Sequence, residues 1–414
     1  MQDYQQFTLQ NGLQVFHLQD PGNPLAVVNI MYNVGSRDED PAQTGFAHLF
    51  EHLMFGGSVN IPSYDEPLQM VGGENNAFTN PDITNYYIQL PLENLETAFW
   101  LESDRMLSLD FSEKSLEVQK GVVVEEFRQR YLNQPYGDAM HHLRDLTYKK
   151  HPYRWPTIGL EVSHIEDAVL QDVKNFFYRH YRPDNAIMVV AADMPTERLK
   201  ELSEKWFGPI EAGDKAARAL PMEDIQKEGR RKEVSAAVPM SAIYLAYPMA
   251  GRLSDEFYSA NLLSDILGHG KSSRLVNTLV KEERVFHSLN AYITGSIDPG
   301  LFIIEGKINP EQDLAGAEKR LLAELDKLQA EGFSEEEVEK VKNQSETALA
   351  ASEIESLNRC INLAYFATLG IPADYRKELA RIQKVNKSEI EAVFHRLIRP
   401  EHCNTLLYKA EFAG

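Results

Sequence analysis

Histidine at position 48, glutamate at 51 and histidine at 52 stand in the stretch GFAHLFEHLMFGG, residues 45–57. In a helix, positions i, i+3 and i+4 share a face, so both imidazoles can turn toward one ion with the carboxylate beside them. Neutral imidazoles suit zinc, and a catalytic zinc site takes three protein ligands and leaves one position open for water. The ion lowers the pKa of that water, and Glu51 is then the base that takes its proton. The order H-x-x-E-H reverses the common H-E-x-x-H zinc helix and is itself a hydrolytic metal signature. The bland alternative is an amphipathic helix with Leu49, Phe50, Leu53 and Met54 in a core and its histidines incidental, so a third ligand has to be found. GVVVEEFRQR, residues 121–130, offers Glu125 and Glu126 after an apolar run. Neighbours on a helix point about 100° apart, so one of the two reaches an ion. A buried carboxylate is compensated when a metal binds it; otherwise the two glutamates form a solvated charge pair with Arg128 and Arg130.

These residues need elements to hold them. LQVFHLQ, LAVVNIMYNV and ITNYYIQLPL are rich in β-branched and aromatic residues and predict strands. LENLETAFWLESDRMLSL and EKSLEVQKGVVVEEFRQRYL carry apolar residues at helical spacing. Strands and helices are mixed, with several strand-turn-strand passages, which predicts α+β layers over an alternating parallel sheet. The polar, Gly- and Pro-containing stretch 208–233 is the best linker. FFYRHYRPDNAIMVV before it matches AVFHRLIRPEHCNTLLY at the end of the chain, with Phe177, Arg179, Arg182 and Pro183 opposite Phe394, Arg396, Arg399 and Pro400. HLFEHLMFGG likewise lines up with NLLSDILGHG, which puts Asn261, Ser264 and Asp265 opposite His48, Glu51 and His52. The chain therefore reads as a duplication: an N-terminal domain over 1–212 that keeps the metal set, a linker over 213–233, and a C-terminal domain over 234–414 that lacks it.

Bulk composition narrows the partners. The 414 residues carry 42 basic against 62 acidic side chains, a net charge of −20, without a dense basic cluster, so nucleic acid and anionic membrane surfaces are poor partners. A basic or unfolded peptide is attracted instead. Cys360 and Cys403 are the two cysteines, too few and too far apart for a cysteine metal cluster or a disulfide framework. No run of about 20 apolar residues occurs, and the N-terminus has no hydrophobic signal core. The expected compartment is cytoplasmic, or periplasmic if a signal was removed before residue 1. LGHGKSS lacks the first glycine of a phosphate loop, its place being taken by Asp265. His141 and His142 read as surface or core residues.

The whole chain resembles the pitrilysin/insulinase family of zinc peptidases, in the small-subunit branch with bacterial processing-type peptidases and the mitochondrial processing peptidase. Four blocks carry the resemblance, in family order and at family-like spacing: NVGSRDEDPAQTGFAHLFEHLMFGGS, GGENNAFTNPDITNYY, GVVVEEFRQR and HPYRWPTIG. It implies His48, His52 and Glu126 as zinc ligands and Glu51 as general base. It also implies two similar domains, each a mostly antiparallel sheet with helices packed on one face, in chains that pair to enclose a peptide-sized chamber. Asn76, Ala77, Phe78 and Thr79 stand at the family's substrate-binding sheet edge, where a peptide adds one strand through main-chain hydrogen bonds. Glu125 and Gln119 are candidate second-layer residues.

The sequence departs from the family pattern in two places. Gln119 stands where a glutamate is common two turns before the third ligand. In LGHGKSSRLVNTLVKEERVFHSLNAY, Val280 and His287 replace an Arg and a Tyr that help hold the substrate carbonyl over the zinc. The expected assembly is therefore a heterodimer in which a related, zinc-free chain supplies that pair. A homodimer using Lys281, Arg284 or His287 in shifted roles is the alternative. The expected activity is zinc endopeptidase, with a non-catalytic structural or peptide-binding subunit as the reading from another class.

Overall fold

A computed structural model describes residues 4–213 and 218–411; residues 214–217 of the expected linker lie outside them. The chain forms two compact units. The first gathers Met1–Arg128, Trp155–Leu220 and Ala350–Arg376, and the second Gln129–Arg154, Pro221–Leu349 and Lys377–Gly414. Neither unit is one stretch of sequence: a linear division at 212 and 234 leaves residues 129–154 and 350–376 with the half they do not pack in.

In unit 1, β1 (Tyr4–Thr8), β2 (Gln14–Gln19), β3 (Leu25–Tyr32), β4 (Glu74–Thr79), β5 (Thr84–Pro91) and β6 (Ala186–Ala192) form a sheet in the order β1-β2-β6-β3-β5-β4. Unit 2 holds β7 (Arg230–Ala236), β8 (Ala242–Met249), β9 (Phe286–Ile293), β10 (Gly300–Ile308) and β11 (Asn404–Ala410), ordered β7-β11-β8-β10-β9. Once β1 is set aside, the two orders correspond strand for strand. Each sheet has one parallel pair, β2 with β6 and β7 with β11, and antiparallel pairs elsewhere. The matched sequence blocks fold alike. Leu170–His180 leads through a short turn of helix at Pro183–Asn185 into β6, and Lys387–Leu397 through Pro400–His402 into β11.

The expected α+β layering holds, and the helical layer is joined by one more helix on the opposite face of each sheet. In unit 1, Cys360, Leu363, Ala364 and Ala367 of the helix Ser356–Thr368 pack on Phe16, Val27, Met31 and Val189. In unit 2, Ala139 and Leu143 of the helix Ala139–Thr147 pack on Tyr244, Ile303 and Leu406. Covering both faces explains why the strand β6, AIMVVAA, is buried throughout and apolar along its length instead of alternating. Each fully buried aliphatic side chain on these faces stabilises by about 1.5–3 kcal/mol. Among the described residues, no helix is long and apolar enough to cross a membrane.

Candidate zinc centre

The stretch around His48 becomes a short helix, Phe46–Leu53. Its apolar residues Phe46, Ala47, Leu49, Phe50 and Leu53 are buried, and Phe50 stacks on Phe176 and Tyr181 at 4.8 and 5.2 Å. That burial fixes the helix's rotation and leaves His48, Glu51 and His52 on its one open face. Gly45 starts the helix at φ 93°, and a Cβ there would lie 2.6 Å from the Ile158 carbonyl oxygen, so only glycine fits. Gly159 makes the reciprocal approach: its Cβ would come within 2.9 Å of the Thr44 carbonyl oxygen. The Leu160 amide donates to Thr44 Oγ1 at 2.8 Å, and Trp155 Nε1 donates to the Ser36 carbonyl at 2.7 Å. The WPTIG part of the fourth block is thus a brace for the start of the metal helix.

Glu39 completes that brace. Its two carboxyl oxygens accept the Gly45 and Ala47 amides at 2.8 Å, taking up donors that the first helical turn leaves without partners. Burial pushes its carboxyl up to about 8, against the pull of those two amides. Nothing local marks this role, since Glu39 stands between two other acids, Asp38 and Asp40. A second feature also escaped: the buried Glu102–Arg105 pair, joined by the Tyr64 hydroxyl at 2.7 Å, with the guanidinium against the rings of Phe55, Tyr64 and Tyr86. The two charges stand at i and i+3 in a helix of mixed composition, a spacing that surface pairs share.

The helix Glu113–Phe127, capped by the Ser112 hydroxyl, supplies the third donor. Leu116, Val123, Val124 and Phe127 are buried, which turns Glu126 toward the metal helix and leaves Glu125 exposed. Glu126 Oε2 lies 3.2 Å from His48 Nε2 and 3.4 Å from His52 Nε2. One donor atom from each of the three residues fits within 4.8 Å of the others. Bonds of about 2.0–2.1 Å in a tetrahedron put neighbouring ligand atoms about 3.3 Å apart, so the two closest pairs already have the spacing zinc requires. Glu51 Oε2 stands 3.8 Å from His48 Nδ1, beside the cluster and outside it.

The electrostatics fit a cation. Burial by itself would lower the His48 imidazole, but Glu126 and Glu51 push it up to about 9. Burial and the charge of His48 lower His52. Burial works to raise Glu51, and His48, Thr79 and His52 together hold it below the usual carboxylate range. In the metal-free chain a proton on His48 therefore sits between two carboxylates.

The other expected residues divide. Asn76 to Thr79 lie on β4, the edge strand, which among the described residues pairs only with β5. Phe78 packs on the far face with the helix Ser356–Thr368. Gln119 is half-buried two turns before Glu126, and Glu125 stands outside the donor cluster. In unit 2, Val280 packs against the core and His287 is exposed on β9.

A two-domain α+β chain with an H-x-x-E-H helix in its first half matches two family models: "Insulinase (Peptidase family M16)" over residues 14–159 and "Peptidase M16 inactive domain" over 167–345. The chain belongs to peptidase family M16. It is 31% identical over 345 residues to zinc protease PqqE of Helicobacter pylori, covering 82% of this chain and 78% of the relative. It is 26% identical over 218 residues to the mitochondrial-processing peptidase subunit beta of Caenorhabditis elegans, covering 52% and 46% of the two chains. A crystal structure of a protease from Helicobacter pylori superposes with a TM-score of 0.91 at 27% identity, over 98% of this chain and 99% of that one.

Proposed function

We propose that this chain is a zinc endopeptidase acting on peptides or unfolded segments, with His48, His52 and Glu126 holding the ion. The observation that carries the reading is the 3.2 and 3.4 Å spacing of Glu126 from the two imidazoles, with Glu51 alongside. Bound zinc would acidify a water and polarise the scissile carbonyl. Glu51, held ionised by His48, Thr79 and His52, takes the proton from the attacking water and passes it to the leaving amine. The open edge of β4 would hold the substrate as an added strand.

The same reading gives the chain a partner. Val280 has no polar group, and His287 offers at most one donor where the family places an Arg and a Tyr. A stabiliser of the developing oxyanion is worth about 2.7–4 kcal/mol of barrier. A related, zinc-free chain would supply that pair in a closed heterodimer. The test is cleavage of a quenched fluorescent peptide library by the zinc-loaded chain alone, with Glu51→Gln as control. Glu51-dependent cleavage supports the peptidase and removes the need for the partner. Bound zinc without cleavage directs the search to a zinc-free relative, and failure of every such relative to restore cleavage leaves a non-catalytic peptide-binding subunit.

A further inference from the structure

The two helices that carry the proposed ligands are tied together through a third, shorter one. The helix Val162–Glu166 packs on the helix Glu113–Phe127, and its residues also reach the start of the metal helix. A Cβ on Gly45 would lie 2.9 Å from Ile165 Cδ1, so Ile165 presses on the residue that starts that helix. Beside it, the Thr44 amide donates to His164 Nδ1 at 3.3 Å, and the Thr44 hydroxyl lies 2.8 Å from the same nitrogen. Thr44 is fully buried, and its hydroxyl oxygen already accepts the Leu160 amide, which leaves the hydroxyl proton for the imidazole. His164 Nδ1 therefore accepts both Thr44 donors, and the neutral ring carries its proton on Nε2.

On its other side the short helix is fastened to the helix that carries Glu126. Lys120 Nζ donates to the Ala168 carbonyl at 3.1 Å and to Glu117 at 2.8 Å. The Arg128–Glu166 pair at 3.3 Å is exposed at both ends and adds little. A single turn of helix has no stability of its own, so these fastenings decide where Val162–Glu166 sits. The Thr44 joint lies about one turn ahead of His48, and Lys120 lies less than two turns ahead of Glu126 on the same helix.

We propose that His164 is a positioning residue for the metal: through Thr44 it completes the link that sets how far Glu126 stands from His48 and His52. Among the described residues the Thr44 amide has no other acceptor, so removal of the imidazole leaves a buried donor unpaired at the start of the metal helix. The inference rests on the proposed zinc site and not on cleavage.

The experiment measures the zinc affinity of the full chain by competition with a chromogenic chelator. His164→Ala should weaken binding about tenfold, the low end of the loss that outer-layer partners give. His164→Asn places an amide oxygen near the position of Nδ1 and should recover most of the parent affinity. His164→Gln carries its oxygen one bond too far and should bind zinc as weakly as His164→Ala. If His164→Ala does not fold, the Asn and Gln variants carry the test between them. Equal zinc affinity in the parent and His164→Ala, even with a lowered melting temperature, overturns the proposal, because a merely structural role moves only the melt. Equal affinity in His164→Asn and His164→Gln overturns it too. Zinc held by the parent without any peptide cleavage refutes the peptidase reading alone; cleavage by a parent whose zinc affinity is indifferent to His164 refutes this inference alone.

Discussion

Zinc held as proposed would compete with a proton for the His48 imidazole between Glu126 and Glu51, and the competition has a measurable size. The His48 imidazole is pushed up to about 9 from an ordinary 6.5, and its side chain is only 13% exposed, so solvent screens little of the effect. A difference of 9 − 6.5 at about 1.4 kcal/mol per unit gives about 3.5 kcal/mol. Because the folded value is raised, the metal-free protein has this stabilisation in full below pH 6.5 and loses it as pH rises to 9. His52, lowered by burial and by its neighbour, is neutral near pH 7 and adds no opposing proton. Zinc must displace the His48 proton at low pH and meets no proton above 9. The increment in melting temperature on adding zinc should therefore grow from pH 6.5 to pH 9. Calorimetry at pH 6.5 should record about one proton released per zinc, where an ordinary imidazole would release about half. The histidine signals of the chelator-treated protein, followed by NMR, should include one that titrates near pH 9. A His48 midpoint at or below 6.5, or a zinc increment that is flat or shrinks as pH rises, refutes the reasoning.

Three further outcomes follow from the same geometry. Glu126→Gln should weaken zinc binding by more than the 10–100-fold lost with an outer-layer partner, whereas Glu125→Gln should leave it unchanged in a chelator competition. Glu39→Gln should lose less stability than the parent between pH 5 and pH 9, read in denaturant melts at each pH. The reason is that the Glu39 carboxyl has a raised folded pKa, so the stability it adds is lost as pH rises through about 8; an equal pH dependence in parent and variant counts against a raised Glu39. Gly45→Ala should lower stability by about 1–2 kcal/mol from the left-handed backbone alone, with an added loss from the 2.6 Å approach to Ile158, read in denaturant melts and zinc content.

The local chemistry was legible in the sequence because a helix imposes its own spacing: i, i+3 and i+4 align whatever surrounds them, so His48, Glu51 and His52 declared one face. The duplication was legible as well, since the Arg-Pro blocks at 182 and 399 encode the same helix-to-strand turn in both units. What stood outside local periodicity needed the folded chain. The choice of Glu126 over Glu125 came from the resemblance; in the fold, burial of Val123, Val124 and Phe127 decides which carboxylate turns toward His48 and His52. Glu39 became a helix cap only when the turn at 36–39 met residues 45–47. Arg105 and Glu102 became a buried pair only when Tyr64 and Tyr86 enclosed them. The helix Ser356–Thr368 shows the same limit on a larger scale. Its sequence specifies an apolar stripe through Cys360, Leu363, Ala364 and Ala367, but an apolar stripe is non-directional and fits any apolar face. That it covers the first sheet and not the second was decided by tertiary packing.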